Sequence, residues 1–190
     1  MSGHSKWSQI KRQKGVTDAK RSQIFGKLSK IISLAARKGE KPDMNPELRV
    51  AIEKAKAANM PADNIERAIK KGAGKLEGAQ LENMRYEAYG PGGTAIIMEG
   101  ITDNKNRTTQ EIKHLLSKNG ANLAQTGAVT WAFEQAKDRP SLESEGPTFA
   151  PAWLPKNKLG LSEQDAEALD KLLEELDDHD DIQDIYTNAE

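Results

Sequence analysis

The sequence predicts a mixed α+β protein, an N-terminal three-helix bundle followed by a ferredoxin-like α/β domain. Three observations point there. Apolar residues recur at helical spacing as far as residue 71, then switch to a period of two near residue 84. A polar, Gly-rich stretch, GAGKLEGAQLEN at 72–83, separates the two periods and reads as a linker or hinge. Charge divides at the same place. Residues 1–79 carry 18 Lys+Arg against 8 Asp+Glu, residues 80–161 carry 9 and 9, and residues 162–190 carry 1 and 12. The net charge of −1 therefore conceals a basic head and an acidic tail. The domains expected are 1–79, a basic bundle with an N-terminal arm, and 80–190, an α/β domain with a connector at 136–151.

Residues 1–16 read as a basic arm broken by Gly3, Ser5, Ser8 and Gly15. A helix follows over 17–38, its inner stripe Ile24, Leu28, Ile31, Ile32 and Ala35, with Gly39 as its stop. Asn45-Pro46 supplies an N-cap and a first-turn proline for a second helix to about Ala58. Pro61 opens a third helix through Lys71, ended by Gly72. Strands are expected at Met84–Tyr89 and Thr94–Thr102 across the Gly90-Pro91-Gly92-Gly93 turn. A helix at Asn106–Asn119 has capping-box spacing between Thr108 and Glu111. A third strand is expected at Ala128–Phe133 and a weaker one around Ala152–Leu161, interrupted by Pro155. Ser162 then caps a helix with Leu169, Leu172, Leu173 and Leu176 inside, and Ile182–Thr187 is a final strand. The three prolines of 136–151 mark a connector. Because neither flank has enough partners to fold alone, 84–135 and 152–190 are expected to share one domain.

Composition excludes several classes. With no cysteine there is no disulfide scaffold, thiolate zinc site, iron–sulfur cluster or cysteine nucleophile. At 36% apolar and 30% charged, with no apolar run near the 18–20 residues of a spanning helix, nothing in the chain reads as a membrane segment. The opening MSGHSKWSQIKRQK lacks the apolar core of a secretory signal, and a cytoplasmic location is expected. Gly72-Ala73-Gly74-Lys75 fails as a phosphate loop: Ile69 and Leu76 stand where glycine and Ser/Thr are required. His4, His114 and His179 show no metal-ligand spacing, and the acids around His179 lack the pattern of a calcium loop and read as a solvated helix end. No nucleophile triad or paired carboxylate emerges. Neither a cofactor nor a metal nor an enzymatic activity is expected.

The positive signal is the basic head. Lys6, Lys11, Arg12, Lys14, Lys20 and Arg21 gather six cations around Trp7, and Lys27 extends the row along the first helix. Cations grip phosphates and an aromatic ring stacks on an unpaired base. A charge run alone is commonly a solvated face, but a surplus of ten cations over 79 residues favours a polyanion. The expected nucleic-acid contacts are thus Lys6, Trp7, Lys11, Arg12, Lys14, Lys20, Arg21 and Lys27. The acidic 162–190 segment suggests a protein partner.

Several blocks stand together in order: Gly3-His4-Ser5-Lys6-Trp7, Asn59-Met60-Pro61 with Asp63–Ile69, Tyr89–Gly93, Thr102–Thr108, Lys118–Leu123, Thr126–Val129, Pro155-Lys156-Asn157 and Asp181–Ala189. On these the sequence resembles the YebC/PmpR family over 1–135 and about 152–190. Members of that family are known as DNA-binding transcriptional regulators, and others as ribosome-associated translation factors, with mitochondrial translational activators among them. The resemblance implies a third domain inserted in the second. Here a short Pro/Ser/Glu-rich stretch takes its place, so the chain reads as a short form. The function implied is a DNA-binding transcriptional regulator. The alternatives are a translation factor bound to ribosomal RNA and a protein–protein adaptor whose charged ends pair with other proteins or with each other.

Overall fold

The computed structural model describes residues 18–78, 80–135 and 153–190. The fold is mixed α+β. Three helices come first: α1 (Asp18–Ala36), α2 (Pro46–Ala57) and α3 (Ala62–Gly72). Their apolar stripes meet in one core that holds Leu28, Ile31, Ile32, Leu48, Ile52 and Ile65. Asn45 joins two of them. Its side-chain oxygen accepts from the Leu48 N–H at 3.1 Å, capping α2, while its amide donates to the carbonyls of Ala35 and Gly39 that α1 leaves unsatisfied. Asn59, at φ 60°, reverses the chain between α2 and α3. Gly72 is more than a stop signal. A Cβ there would lie 2.1 Å from the Ser33 carbonyl oxygen, so only glycine lets α3 come this close to α1.

The connection to the second part is shorter than the 72–83 expected for a hinge, because helix runs to Gly72 and strand resumes at Glu82. Leu81 and Ile101 are buried in the helical core, and the Arg37 guanidinium donates to the Leu81 carbonyl at 2.7 Å.

The second part is built on a four-stranded antiparallel sheet, β1 (Glu82–Tyr89), β2 (Ala95–Thr102), β3 (Asn122–Ala124) and β6 (Ile182–Thr187), in the order β3-β1-β2-β6. The hairpin β1–β2 closes at Tyr89↔Ala95 through a turn with Gly92 and Gly93 at positive φ. Two helices, α4 (Lys105–Lys118) and α5 (Glu163–Asp177), cover one face. Ile112 and Leu116 of α4 and Leu169, Leu172, Leu173 and Leu176 of α5 pack on Met84, Ala88, Ile96, Met98 and Ile182. The other face, at Ala95 and Ile97, lies under Val129, Ala132, Phe133 and Trp153. The last two come from a small hairpin of β4 (Phe133–Gln135) and β5 (Trp153–Pro155).

Three local expectations differ. The strand expected at Ala128–Phe133 is a turn and a 3-10 helix (Thr130–Ala132), and the pairing falls to β3 before it and β4 after it. The cause is the buried carboxylate of Glu87, which accepts from the N–H of Gly127 at 2.7 Å and of Val129 at 2.8 Å and so bends the segment. The helix cap is Asn104, accepting from the Arg107 N–H at 3.1 Å, not Thr108, whose hydroxyl is buried against Thr102 and Asp181. The strand expected around 152–161 keeps three residues, ending at Pro155, which has no N–H to continue the ladder.

Candidate nucleic-acid interface

Of the eight contacts expected, Lys6, Trp7, Lys11, Arg12 and Lys14 lie outside the described residues. Lys20 and Arg21 sit on the first turn of α1, where the arm enters the helix. Arg21 is exposed, 3.6 Å from Asp18, and Lys20 is half-buried. Lys27 has a different role. It is buried, its ammonium donates to the Asp177 carbonyl at 2.5 Å, and it lies 3.6 Å from the Asp177 carboxylate. It is an internal tie and is not presented to a ligand.

Lys27 is one of three α1 side chains gripping the end of α5. Gln23 donates to the Asp178 carbonyl, and Lys30 reaches the Asp180 carbonyl at 2.9 Å and the Asp181 carboxylate at 2.5 Å. A helix C-terminus leaves carbonyls unsatisfied and carries partial negative charge, so cations are held there. The basic head and acidic tail thus meet within the chain. The other Asp181 oxygen accepts from Arg107 at 2.7 Å and Thr108 at 2.6 Å. Burial pushes the Asp181 pKa up, but the hydrogen bonds from Lys30, Thr108 and Arg107 outweigh it and bring it down to about 2. The acidic turn, expected as a solvated helix end, therefore contains a buried junction between α1, α4 and α5.

Glu111, His179 and Asp181 come close enough there to suggest a metal site. The partners argue otherwise. Both Asp181 oxygens are engaged by Lys30, Arg107 and Thr108. His179 Nδ1 accepts the Asp181 N–H at 3.1 Å, and its Nε2 bonds Glu111 at 3.0 Å. Two cations already occupy the space a third would need, and the cluster is an ion-pair junction.

Beside that junction, and sharing Lys30 with it, α1 and α3 form a groove lined also by Ser22, Phe25, Asn64, Arg67 and Lys71. Arg67 and Lys71 stand one turn apart on α3, both exposed, with no hydrogen bond or ion pair to any described residue. Their neighbours are engaged: Lys70 with Glu66 at 2.9 Å, Lys38 with Glu47 at 2.6 Å, Lys75 with Glu40 at 2.5 Å. Sequence reasoning missed this pair. The available signal was the i,i+4 spacing in DNIERAIKK on a helix whose apolar face is set by Ile65 and Ala68.

Comparison with known proteins agrees with this architecture. The model of the TACO1/YebC N-terminal domain matches residues 5–75, and that of the TACO1/YebC second and third domain matches 81–137 and 140–189. The chain belongs to the TACO1/YebC family. A "probable transcriptional regulatory protein" of Halothermothrix orenii is 41% identical over 239 aligned positions, covering 99% of this chain and 94% of that protein. One of Petrotoga mobilis is 59% identical over 136 residues, covering 71% of this chain and 54% of that protein. The crystal structure of a conserved hypothetical protein of Aquifex aeolicus superposes with a TM-score of 0.85 at 38% identity, covering 98% of this chain and 97% of that one. An alignment of 239 positions against 190 residues means that about 50 positions of the Halothermothrix protein have no counterpart here. The names of these relatives place the family among regulators of transcription. Among the described residues no helix is long and apolar enough to cross a membrane.

Proposed function

We propose that this chain is a non-enzymatic, nucleic-acid-binding regulator of gene expression, acting in the cytoplasm through its basic arm and the α1–α3 groove. The observation that carries the proposal is the pair Arg67 and Lys71. Most of the described cations of the helical unit have an internal partner, whereas these two are exposed beside the groove between α1 and α3 and have none among the described residues. The sequence that precedes α1 adds Lys6, Lys11, Arg12 and Lys14, and Lys20 and Arg21 follow in the helix. Such an array matches a phosphate backbone. The names of the relatives favour a role in transcription.

One feature favours the ribosomal reading. The first turn of α3 carries Asp63, and Glu66 follows it, with the cations confined to the C-terminal half. A recognition helix enters the major groove with its N-terminal residues toward the bases. Carboxylates at that end repel the flanking phosphates, so α3 is suited to lie along a backbone and not to read base edges. A ligand known by shape and backbone, as structured RNA is, fits that geometry. Crosslinking in cells, followed by sequencing of the bound DNA and RNA, separates the two. Enrichment of promoter DNA supports the transcriptional reading and enrichment of ribosomal RNA the translational one. Recovery of neither above background contradicts the proposal.

A further inference from the structure

Trp131 is the second most exposed large apolar side chain among the described residues, at 64%, surpassed only by Met44. It sits on a backbone that is held firmly. Glu87, only 1% exposed, binds the N–H groups of Gly127 and Val129 with its two carboxylate oxygens. Thr130 donates to the Gly127 carbonyl at 3.1 Å, and Val129, Ala132 and Phe133 on either side are buried against the sheet. Burying a carboxylate is costly unless it is well bonded. Here its two bonds fix a turn whose one outward apolar group is an indole. Rigid display of an aromatic ring lowers the entropy lost on binding.

The surroundings define the occupant. The Lys156 N–H donates to the Ala132 carbonyl at 2.9 Å, which ties the Lys156 backbone to the residue that follows Trp131. Lys156 is exposed and has no ion pair with any described residue. Among the described residues the other exposed large apolar side chains tied to this region are Leu154 of β5, across from the exposed Glu134, and Tyr89, whose hydroxyl donates to the Ala128 carbonyl at 2.8 Å. Three apolar side chains, one with its polar end bonded back to the turn, fall short of the contiguous apolar patch that marks a protein interface. An exposed ring, with an exposed lysine whose backbone is bonded to the next residue, suits a base and its phosphate.

We infer that Trp131 stacks an unpaired base of single-stranded nucleic acid, with Lys156 on the adjoining phosphate. The inference rests on the proposed nucleic-acid binding and adds a second contact, on the sheet domain, for a strand that is not paired. The test uses the full chain with fluorescein-labelled oligo-dT and oligo-rU of about 12 nucleotides, and a duplex of the same length. Trp131→Ala weakens binding of the single strands at least about fivefold, as loss of a stacked base does. Trp131→Phe stays within about twofold of the parent, and neither changes the duplex affinity or the salt slope. Lys156→Ala lowers the single-strand salt slope by about one. Tryptophan emission of the parent is quenched by oligo-dT more than that of Trp131→Phe. Equal single-strand affinity in the parent and Trp131→Ala overturns the inference and leaves the proposed function standing, as does Trp131-dependent self-association in sedimentation, which assigns the ring to a second copy. A parent that binds none of the three probes overturns both.

Discussion

Two pairs of cations in the helical unit have the same chemistry and opposite fates. Lys27 and Lys30, one turn apart on α1, are drawn into the end of α5 by Asp177, Asp180 and Asp181. Arg67 and Lys71, one turn apart on α3, have no internal partner among the described residues and border an open groove. A charge count treats all four alike. The difference is set by a long-range contact, because the tail that neutralises the first pair lies some 150 positions away in sequence. Net charge over 1–79 therefore overstates the charge left without an internal partner: Lys30 lines the same groove as Arg67 and Lys71, yet its ammonium is held by Asp180 and Asp181.

The largest effect on the α1–α5 junction is expected at Asp181. Replacing it by Asn removes the charge that Lys30 and Arg107 share, and losing one partner of a buried ion pair costs about 3 kcal/mol. Both cations here retain some solvent, so a loss of about 2 kcal/mol is expected in denaturant melts. The pH dependence has a definite sign. The folded-state pKa of about 2 lies below the ordinary 3.8, so this stability is present above about pH 4 and is lost as pH falls toward 2. Asp181→Asn flattens that acid limb, and an unchanged acid limb contradicts the junction.

Gly72→Ala tests the close approach of α3 to α1. The added methyl meets the Ser33 carbonyl at 2.1 Å and the Ala36 methyl at 2.8 Å, so α3 must move away from α1. A loss of about 1–3 kcal/mol is expected, the range for overpacking. A thermal melt matching the parent means that the helices are not so closely apposed. A smaller effect on stability, about 1 kcal/mol, is expected for Lys27→Met, which keeps the buried stem and removes only the charge. Its nucleic-acid affinity is expected to equal that of the parent.

Helix content and the caps at Asn45 and Ser162 were legible in the sequence because they depend on neighbours within four positions. The same holds for the β1–β2 hairpin, whose register follows from a Gly-rich turn and alternation. The misreadings share a cause. The 128–133 segment has strand composition, but a carboxylate forty positions earlier captures its N–H groups. Thr108 has capping-box spacing, yet Asn104 reaches the free N–H first and Thr108 turns inward to Asp181. Gly72 has the look of a helix stop while serving the approach of α3 to α1. In the site, Lys27 was indistinguishable from Arg67 on a helix surface until the fold brought α5 against one and not the other.

The division between internally paired and ligand-facing cations is decided by the salt dependence of nucleic-acid binding in two double variants, Arg67→Ala with Lys71→Ala, and Lys27→Met with Lys30→Met, each verified as folded by circular dichroism. Every phosphate that a variant no longer neutralises makes the slope of log affinity against log salt shallower by about one. The expected result is a slope about two units shallower for the α3 pair and an unchanged slope for the α1 pair. A shallower slope for the α1 pair with an unchanged slope for the α3 pair would contradict that division.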